Sequence, residues 1–384
     1  MPTKNPIGSC IIVGAGPAGL QVAQQLAKLG KGKVAVTLID RQDYLDWSLA
    51  SPRSLVAPED VNTHSYCMPM TAVVKHVGGP NAKFVQASVE TIHPKSVALQ
   101  DGTVLEADTI VVAVGGHYAN GALWKPLPHH TTKEARIQAF RDENKKLANC
   151  QSVVVAGAGP TGVEVAGELQ AAYPNMTVTL VGTLLPGFSS KNQMRMKQAL
   201  ESMGVHLMEG RVVSEEPDGQ RNVHLRDGRI IEKVDHVLNA AGMIFAGASL
   251  ASSELKQDVT SNGQFRCRPT LQLQSSDTVF CTGDVLAVPD GFYADVKGMK
   301  QLEDTAIIVA KNVVATLQQG PLQKFHWSKT PKNDMMITTL GPKKAIAFLP
   351  IPAFIANFMA RKIKSTDFYM SVKAGSLYGK GKTW

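Results

Sequence analysis

Gly14-Ala15-Gly16-Pro17-Ala18-Gly19 follows the apolar run Cys10-Ile11-Ile12-Val13, and Gly157-Ala158-Gly159-Pro160-Thr161-Gly162 follows Val153-Val154-Val155-Ala156. Each stretch reads as a GxGxxG turn between a strand and a helix. Missing side chains let the backbone approach a pyrophosphate there, and the helix N-terminus offers it free N–H groups. One such match is weak. A pair in frame with strands, with Cys281-Thr282-Gly283-Asp284 far downstream, implies two dinucleotides on one chain.

The repeat extends past the glycines. Leu20, Ala23 and Leu26 keep helical spacing before the strand Val36-Thr37-Leu38-Ile39-Asp40, and Val163, Ala166 and Leu169 do so before Val178-Thr179-Leu180-Val181. Asp40 stands 21 residues after Gly19, where a carboxylate accepts hydrogen bonds from an adenosine ribose. The matching position of the second unit is Gly182, followed by Thr183, so the acid that favours NAD is missing and no adjacent Arg marks NADP. Lys191 and Arg195 stand a few residues on, as partners of a 2′-phosphate or as solvated helix charges. The choice between NADH and NADPH stays open, leaning to NADH. The pair suggests a flavin reduced by a nicotinamide: FAD on Gly14, Gly16 and Gly19, and NAD(P)H on Gly157, Gly159 and Gly162.

At 384 residues the chain exceeds one core. The expected class is α/β, with two Rossmann-like dinucleotide-binding domains and a small C-terminal domain. The apolar strands 109–114 and 236–240 both run into glycine, which suits crossing points near a cofactor. An NAD(P)H domain at 150–258 is thus expected as an insertion in a discontinuous FAD domain, 1–149 and 259–320, followed by a basic domain at 321–384. Lys133 to Asn149 reads as a surface helix.

The five cysteines show no CxxC or similar close spacing, so no disulfide framework, zinc site or proximal dithiol is indicated. A reducing compartment fits, and no metal is expected. Met1 to Cys10 does not read as a signal peptide, Pro2 excludes N-myristoylation, and no apolar run reaches about 18 residues. From Pro321 onward eleven Lys and Arg face two acids, a charge of +9 in a chain of +8. Within that tail a helix after Pro352 would put Phe354, Ile355, Phe358, Met359 and Ile363 on one side, and Asn357, Arg361, Lys362 and Lys364 towards the other. It either lies in an anionic membrane surface or covers a C-terminal core. Aromatic residues are not interleaved with the charge as a nucleic-acid platform requires, so no nucleic acid is expected.

Glu164 and Glu168 share one helix face just inside the second glycine turn. The helix dipole does not explain a carboxylate beside phosphates, which suggests that Glu164 points towards nicotinamide and flavin. The alternative is a pair of exposed helix carboxylates. Asp284 is a turn residue, a helix cap or a cofactor contact. Trp47, Tyr44, His117 and Tyr118 are candidates for the flavin pocket or for packing and loops.

In the order GAGPAG, Asp40, Val112-Ala113-Val114-Gly115, GAGPTG with Glu164 and Glu168, and Thr282-Gly283-Asp284, the chain resembles the two-dinucleotide flavoprotein disulfide reductase superfamily. The spacing from Asp40 to Arg53, the phrase Gly162-Val163-Glu164-Val165-Ala166-Gly167-Glu168 and the basic tail are similar to its apoptosis-inducing-factor-like branch, which includes ferroptosis suppressors and is related to type II NADH dehydrogenases. The resemblance implies an FAD-dependent NAD(P)H:quinone oxidoreductase with Glu164 as catalytic residue. It also implies FAD contacts at Arg53, Gly115, Gly283 and Asp284, with Gly115 retained where the family's usual Ala-Thr-Gly reads Ala113-Val114-Gly115. Lys329 and Lys332 are the tail's candidates for a lysine that some relatives place near the flavin. A cytoplasmic protein is expected, peripheral on a mitochondrial outer membrane or lipid droplet by the same resemblance, with oligomeric state open. The rival readings are an NAD(P)H-sensing signalling flavoprotein and an NAD(P)H oxidase or monooxygenase.

Overall fold

The computed structural model describes residues 6–60, 66–118, 122–215, 221–292, 298–328 and 335–370. Gly8–Val13 and Val34–Asp40 are apolar and β-branched along most of their length, as strands covered on both faces must be. They pair in parallel, Gly8 opposite Val34 through Val13 opposite Ile39. They sit inside a five-stranded sheet of order Val279–Cys281, Thr109–Val112, Gly8–Val13, Val34–Asp40, Ala82–Gln86. The helix Pro17–Leu29 starts on a proline, whose missing N–H costs nothing in a first turn. It buries Leu20, Val22, Ala23 and Leu26 and packs on the helix Met299–Leu317.

The second unit repeats the plan with a four-stranded sheet of order His206–Met208, Thr177–Val181, Ser152–Ala156, His236–Asn239, all parallel. Between the two sheets runs an antiparallel pair, Gly116–Tyr118 with Met243–Phe245, the two stretches that follow the apolar strands into glycine. A side chain on Gly116 would begin 2.8 Å from the Phe245 ring, so the close approach needs glycine.

The helix Lys133–Leu147 is less of a surface helix than its polarity suggests, because it buries Arg136, Ile137, Phe140 and Leu147. Arg136 is masked in the sequence by its charge. It pairs with Asp46 at 2.8 Å, donates to the Leu123 carbonyl and lies over the Phe140 ring.

At the C-terminal end the hairpin Met336–Thr339 with Ala345–Phe348 presses on the second unit's helix, Pro160–Ala172. A Cβ on Gly167 would lie 2.8 Å from the Leu340 Cα. The helix Ala353–Ala360 then turns its small side inward, Ala356 and Ala360 against Ala345 and Ala347. Phe354 is 76 % exposed and Phe358 51 %, with Ile355 and Met359 exposed beside them. Ile363 is half-buried, and Lys364, expected on the polar side, is buried in the π-helical turn Arg361–Ser365. Among the described residues, no helix is long and apolar enough to cross a membrane.

Candidate functional site

The two glycine turns are built alike. Gly14 N donates to Ile39 O at 2.8 Å, and Gly157 N donates to Val181 O at 2.7 Å, so each turn crosses the end of its unit's second strand. Gly14 (φ +100°) and Gly157 (φ +114°) hold a backbone that favours glycine. A Cβ on Gly19 would lie 1.9 Å from Gly14 O, and one on Gly162 1.7 Å from Gly157 O, which lets each helix seat on its turn. The middle glycines differ. A Cβ on Gly16 or Gly159 would meet nothing within 4 Å, so each faces open space at a helix N-terminus. First and third glycines set for packing, with the second left open, are what a pyrophosphate needs for backbone contact.

Asp40 docks on the first turn: its Oδ2 accepts from Ala15 N at 2.8 Å and its Oδ1 from Gln42 N at 3.1 Å. Burial pushes its carboxyl above the usual range, and these backbone donors work against that rise. Gly283 (φ +76°) faces the same helix start, where a Cβ would meet the Ala18 Cβ at 3.0 Å. Asp284 follows, with its Oδ2 3.6 Å from Lys125 Nζ and its main-chain oxygen accepting from Gln264. Gly115 (φ +66°) and its counterpart in the second unit, Gly242 (φ +78°), both look into space with nothing within 4 Å. Gly14, Gly16, Gly19, Asp40, Gly283 and Asp284 thus belong to one end of one sheet. The residues present fit a dinucleotide.

Glu164 and Glu168 are both buried, which removes the exposed-carboxylate alternative. Glu164 Oε1 accepts from Lys364 Nζ, from Thr338 Oγ1 at 3.1 Å and from Thr339 N at 3.3 Å. Glu168 takes Arg53 in a bidentate pair, at 2.6 and 2.9 Å. Arg53 also donates from Nη1 and Nη2 to Ser365 O at 3.2 Å, and its guanidinium lies 5.2 Å from the Phe368 ring. Burial works to lower the Arg53 pKa, but Glu168 more than offsets this and raises it. Four of five guanidinium donors are therefore spent on protein groups. With these donors Arg53, to which the resemblance assigns a flavin contact, ties helix Ser51–Val56 and helix Pro160–Ala172 to the C-terminal segment.

Lys364 and the Arg53–Glu168 pair escaped the sequence reading. Partners 200 and 115 residues apart leave no local signal. Lys329 and Lys332 lie outside the described residues. Trp47 and Tyr44 are core residues, Trp47 donating to Phe368 O and Tyr44 to His130 O. Tyr118 reaches the second turn, its hydroxyl 3.2 Å from Thr161 Oγ1. His117 is exposed on the crossing strand.

The family model described as pyridine nucleotide-disulphide oxidoreductase matches residues 8–309. Ferroptosis suppressor protein 1 of Mus musculus is 24 % identical over 376 residues, covering 94 % of this chain and 93 % of its own length. FAD-dependent oxidoreductase FVFD30 of Flammulina velutipes is 26 % identical over 300 residues, covering 74 % and 88 %. Among solved structures, the sulfide:quinone oxidoreductase of Aquifex aeolicus superposes with a TM-score of 0.70 at 16 % identity, over 97 % of this chain and 96 % of that one, a likeness of fold.

Proposed function

Because the chain belongs to the pyridine nucleotide-disulphide oxidoreductase family and is an FAD-dependent enzyme using NAD(P)H, we propose that its electron acceptor is a quinone-type molecule. The observation that carries this reading is a doubled dinucleotide cradle with no dithiol relay. Cys267 and Cys281 adjoin, but burial pushes the Cys267 thiol well above its usual range, the opposite of a reactive thiolate. A small diffusible acceptor therefore suits the site better than a disulfide. The mouse relative is named a ferroptosis suppressor, and the Aquifex neighbour a quinone oxidoreductase.

The FAD domain is proposed at 1–149 and 259–320, the NAD(P)H domain at 150–258 and the basic domain at 321–384. In the first, Gly14, Gly16 and Gly19 would admit the flavin diphosphate, Asp40 would accept ribose hydroxyls, and Gly115, Gly283 and Asp284 would line the rest. In the second, Gly157, Gly159 and Gly162 would admit the nicotinamide coenzyme. FAD, when bound, supplies the two-electron carrier between hydride donor and acceptor. Glu164 is the proposed catalytic residue: its carboxylate, which accepts from Lys364 Nζ at the junction of the second helix and the C-terminal hairpin, would relay a proton from solvent to the reduced acceptor.

The outward Phe354, Ile355, Phe358 and Met359 stand beside exposed Arg361 and Lys362. Apolar side chains with flanking cations match an interfacial helix on an anionic membrane, from which a lipophilic quinone would arrive. The protein is thus proposed as cytoplasmic and peripheral. To test the acceptor, the reduced enzyme is mixed with a ubiquinone analogue or with oxygen. Faster reoxidation by quinone supports the proposal. Faster reaction with oxygen makes the enzyme an oxidase, and slow reaction with both favours a signalling role.

A further inference from the structure

The second unit carries a carboxylate at its ribose end, supplied by a neighbouring strand. His206–Met208 pairs in parallel with Thr177–Val181, Val181 opposite Met208, and Gly182 N donates to Met208 O at 3.0 Å. Gly182-Thr183 and Glu209 consequently leave the sheet side by side. Thr183 Oγ1 donates to Glu209 Oε1 at 2.6 Å and fixes the side chain there. Gly182 (φ +147°) lies against the glycine turn, since a Cβ on it would be 2.7 Å from Ala158 N. Ala158 is the second residue of its motif, as Ala15 is of the first, where Asp40 docks at 2.8 Å. The first unit places its acid at the end of its second strand. The second unit has glycine there, and Glu209 brings the negative charge in from the third.

Of the cations on this side, Arg195 and Arg229 are engaged by other groups, while Lys191, the second 2′-phosphate candidate, is exposed. Arg195, a candidate for a 2′-phosphate in the sequence, turns to the C-terminal hairpin, its Nη2 3.4 Å from Ala347 O and its guanidinium 5.1 Å from the Phe348 ring. Arg229 is bidentate on Asp227 at 3.0 and 2.7 Å, and it donates to the main-chain oxygen of Glu209. A carboxylate offers about four acceptor positions, and Thr183 occupies one. We infer that Glu209 is the specificity-determining residue for the coenzyme, accepting the adenosine ribose hydroxyls of NADH and repelling the 2′-phosphate of NADPH. The inference rests on the proposed reading of the second glycine turn as the coenzyme site.

The test is anaerobic stopped-flow bleaching of the FAD-loaded protein by NADH and NADPH, in the wild type, Glu209→Gln and Glu209→Lys. Like charges in contact cost enough that the wild type should favour NADH at least about tenfold, more at low ionic strength. Glu209→Gln, which keeps an acceptor for Thr183, should narrow the ratio about tenfold, and Glu209→Lys should narrow it further. Adenosine 2′,5′-bisphosphate should compete with NADH better in Glu209→Lys than in the wild type. A wild type that takes both coenzymes equally or prefers NADPH overturns the inference. So does a ratio unmoved in both variants with normal flavin content. If neither coenzyme bleaches the flavin, the coenzyme site itself is wrong, and this inference falls with it.

Discussion

Replacing Arg53 by Met should unsettle the molecule far more than a salt bridge at the surface would. The guanidinium and the Glu168 carboxylate have side-chain exposures of 5 % and 0 %. Removing Arg53 leaves Glu168 a buried charge with no counterion, and removes the donors on Ser365 O. Breaking one side of such a pair costs about 3–5 kcal/mol. Removing both charges with residues of similar volume costs much less, so Arg53→Met with Glu168→Met should lie within about 2 kcal/mol of the wild type. With Glu168→Met costing as much on its own, the cycle should thus show a coupling of at least about 4 kcal/mol. Urea denaturation followed by circular dichroism, with FAD at one fixed excess so that ligand linkage is constant, gives these numbers. Because Arg53 joins helix Ser51–Val56, helix Pro160–Ala172 and the Ser365–Phe368 segment, the single variant should also expose the C-terminal segment to protease. A single-variant loss below about 1 kcal/mol, the range of exposed pairs, would refute the reasoning.

Other perturbations read other parts. Gly16→Ala should fold, since its Cβ meets no protein atom, yet bind less FAD, whereas Gly19→Ala should lose the turn itself; flavin absorbance per protein and circular dichroism separate the two. Hydrogen bonding by His236 at 2.5 Å, opposed by burial and aided by Lys146, lowers the Glu143 carboxyl from 4.5 to about 2. A depressed carboxyl stabilises the fold fully above its unfolded pKa and loses that contribution as pH falls towards 2. Glu143→Gln should therefore flatten the acid limb of stability between pH 4.5 and 2, measured by denaturation across pH. Glu164→Gln should slow acceptor reduction about a hundredfold or more while sparing flavin content, measured by rapid mixing. Phe354→Glu with Phe358→Glu, both on exposed positions, should abolish sedimentation with anionic vesicles at unchanged thermal stability.

Much of the framework was legible because it is local. Strand, glycine turn, helix and strand follow within thirty-odd residues, and Asp40 lies where the first unit's geometry demands it. Glycines at 14, 19, 157 and 162 declare backbone contacts that no other residue fits. What escaped was chemistry assembled between units. Arg53, Glu168 and Ser365 come from three segments; the sequence reading took Arg53 as a ligand contact and Glu168 as a helix-face carboxylate, and gave Ser365 no role. Lys364 was placed on a solvated helix face by a 3.6-residue period that the π-helical turn at 361–365 interrupts. Helix 353–360 showed its amphipathic pattern plainly, but the period cannot tell which side the fold buries. Two alanines did that by close packing, leaving the aromatic side outward. Glu209 was missed because the ribose rule looks to the second strand, and the register of the third decides its place.

The most direct test is an anaerobic spectral titration of the FAD-loaded protein, first with NADH and NADPH and then with a ubiquinone analogue. The account expects bleaching by a nicotinamide coenzyme and prompt return of the oxidised spectrum on adding quinone. Bleaching that quinone does not reverse would contradict the proposed acceptor, and a flavin left oxidised by both coenzymes would contradict the assignment of the second glycine turn.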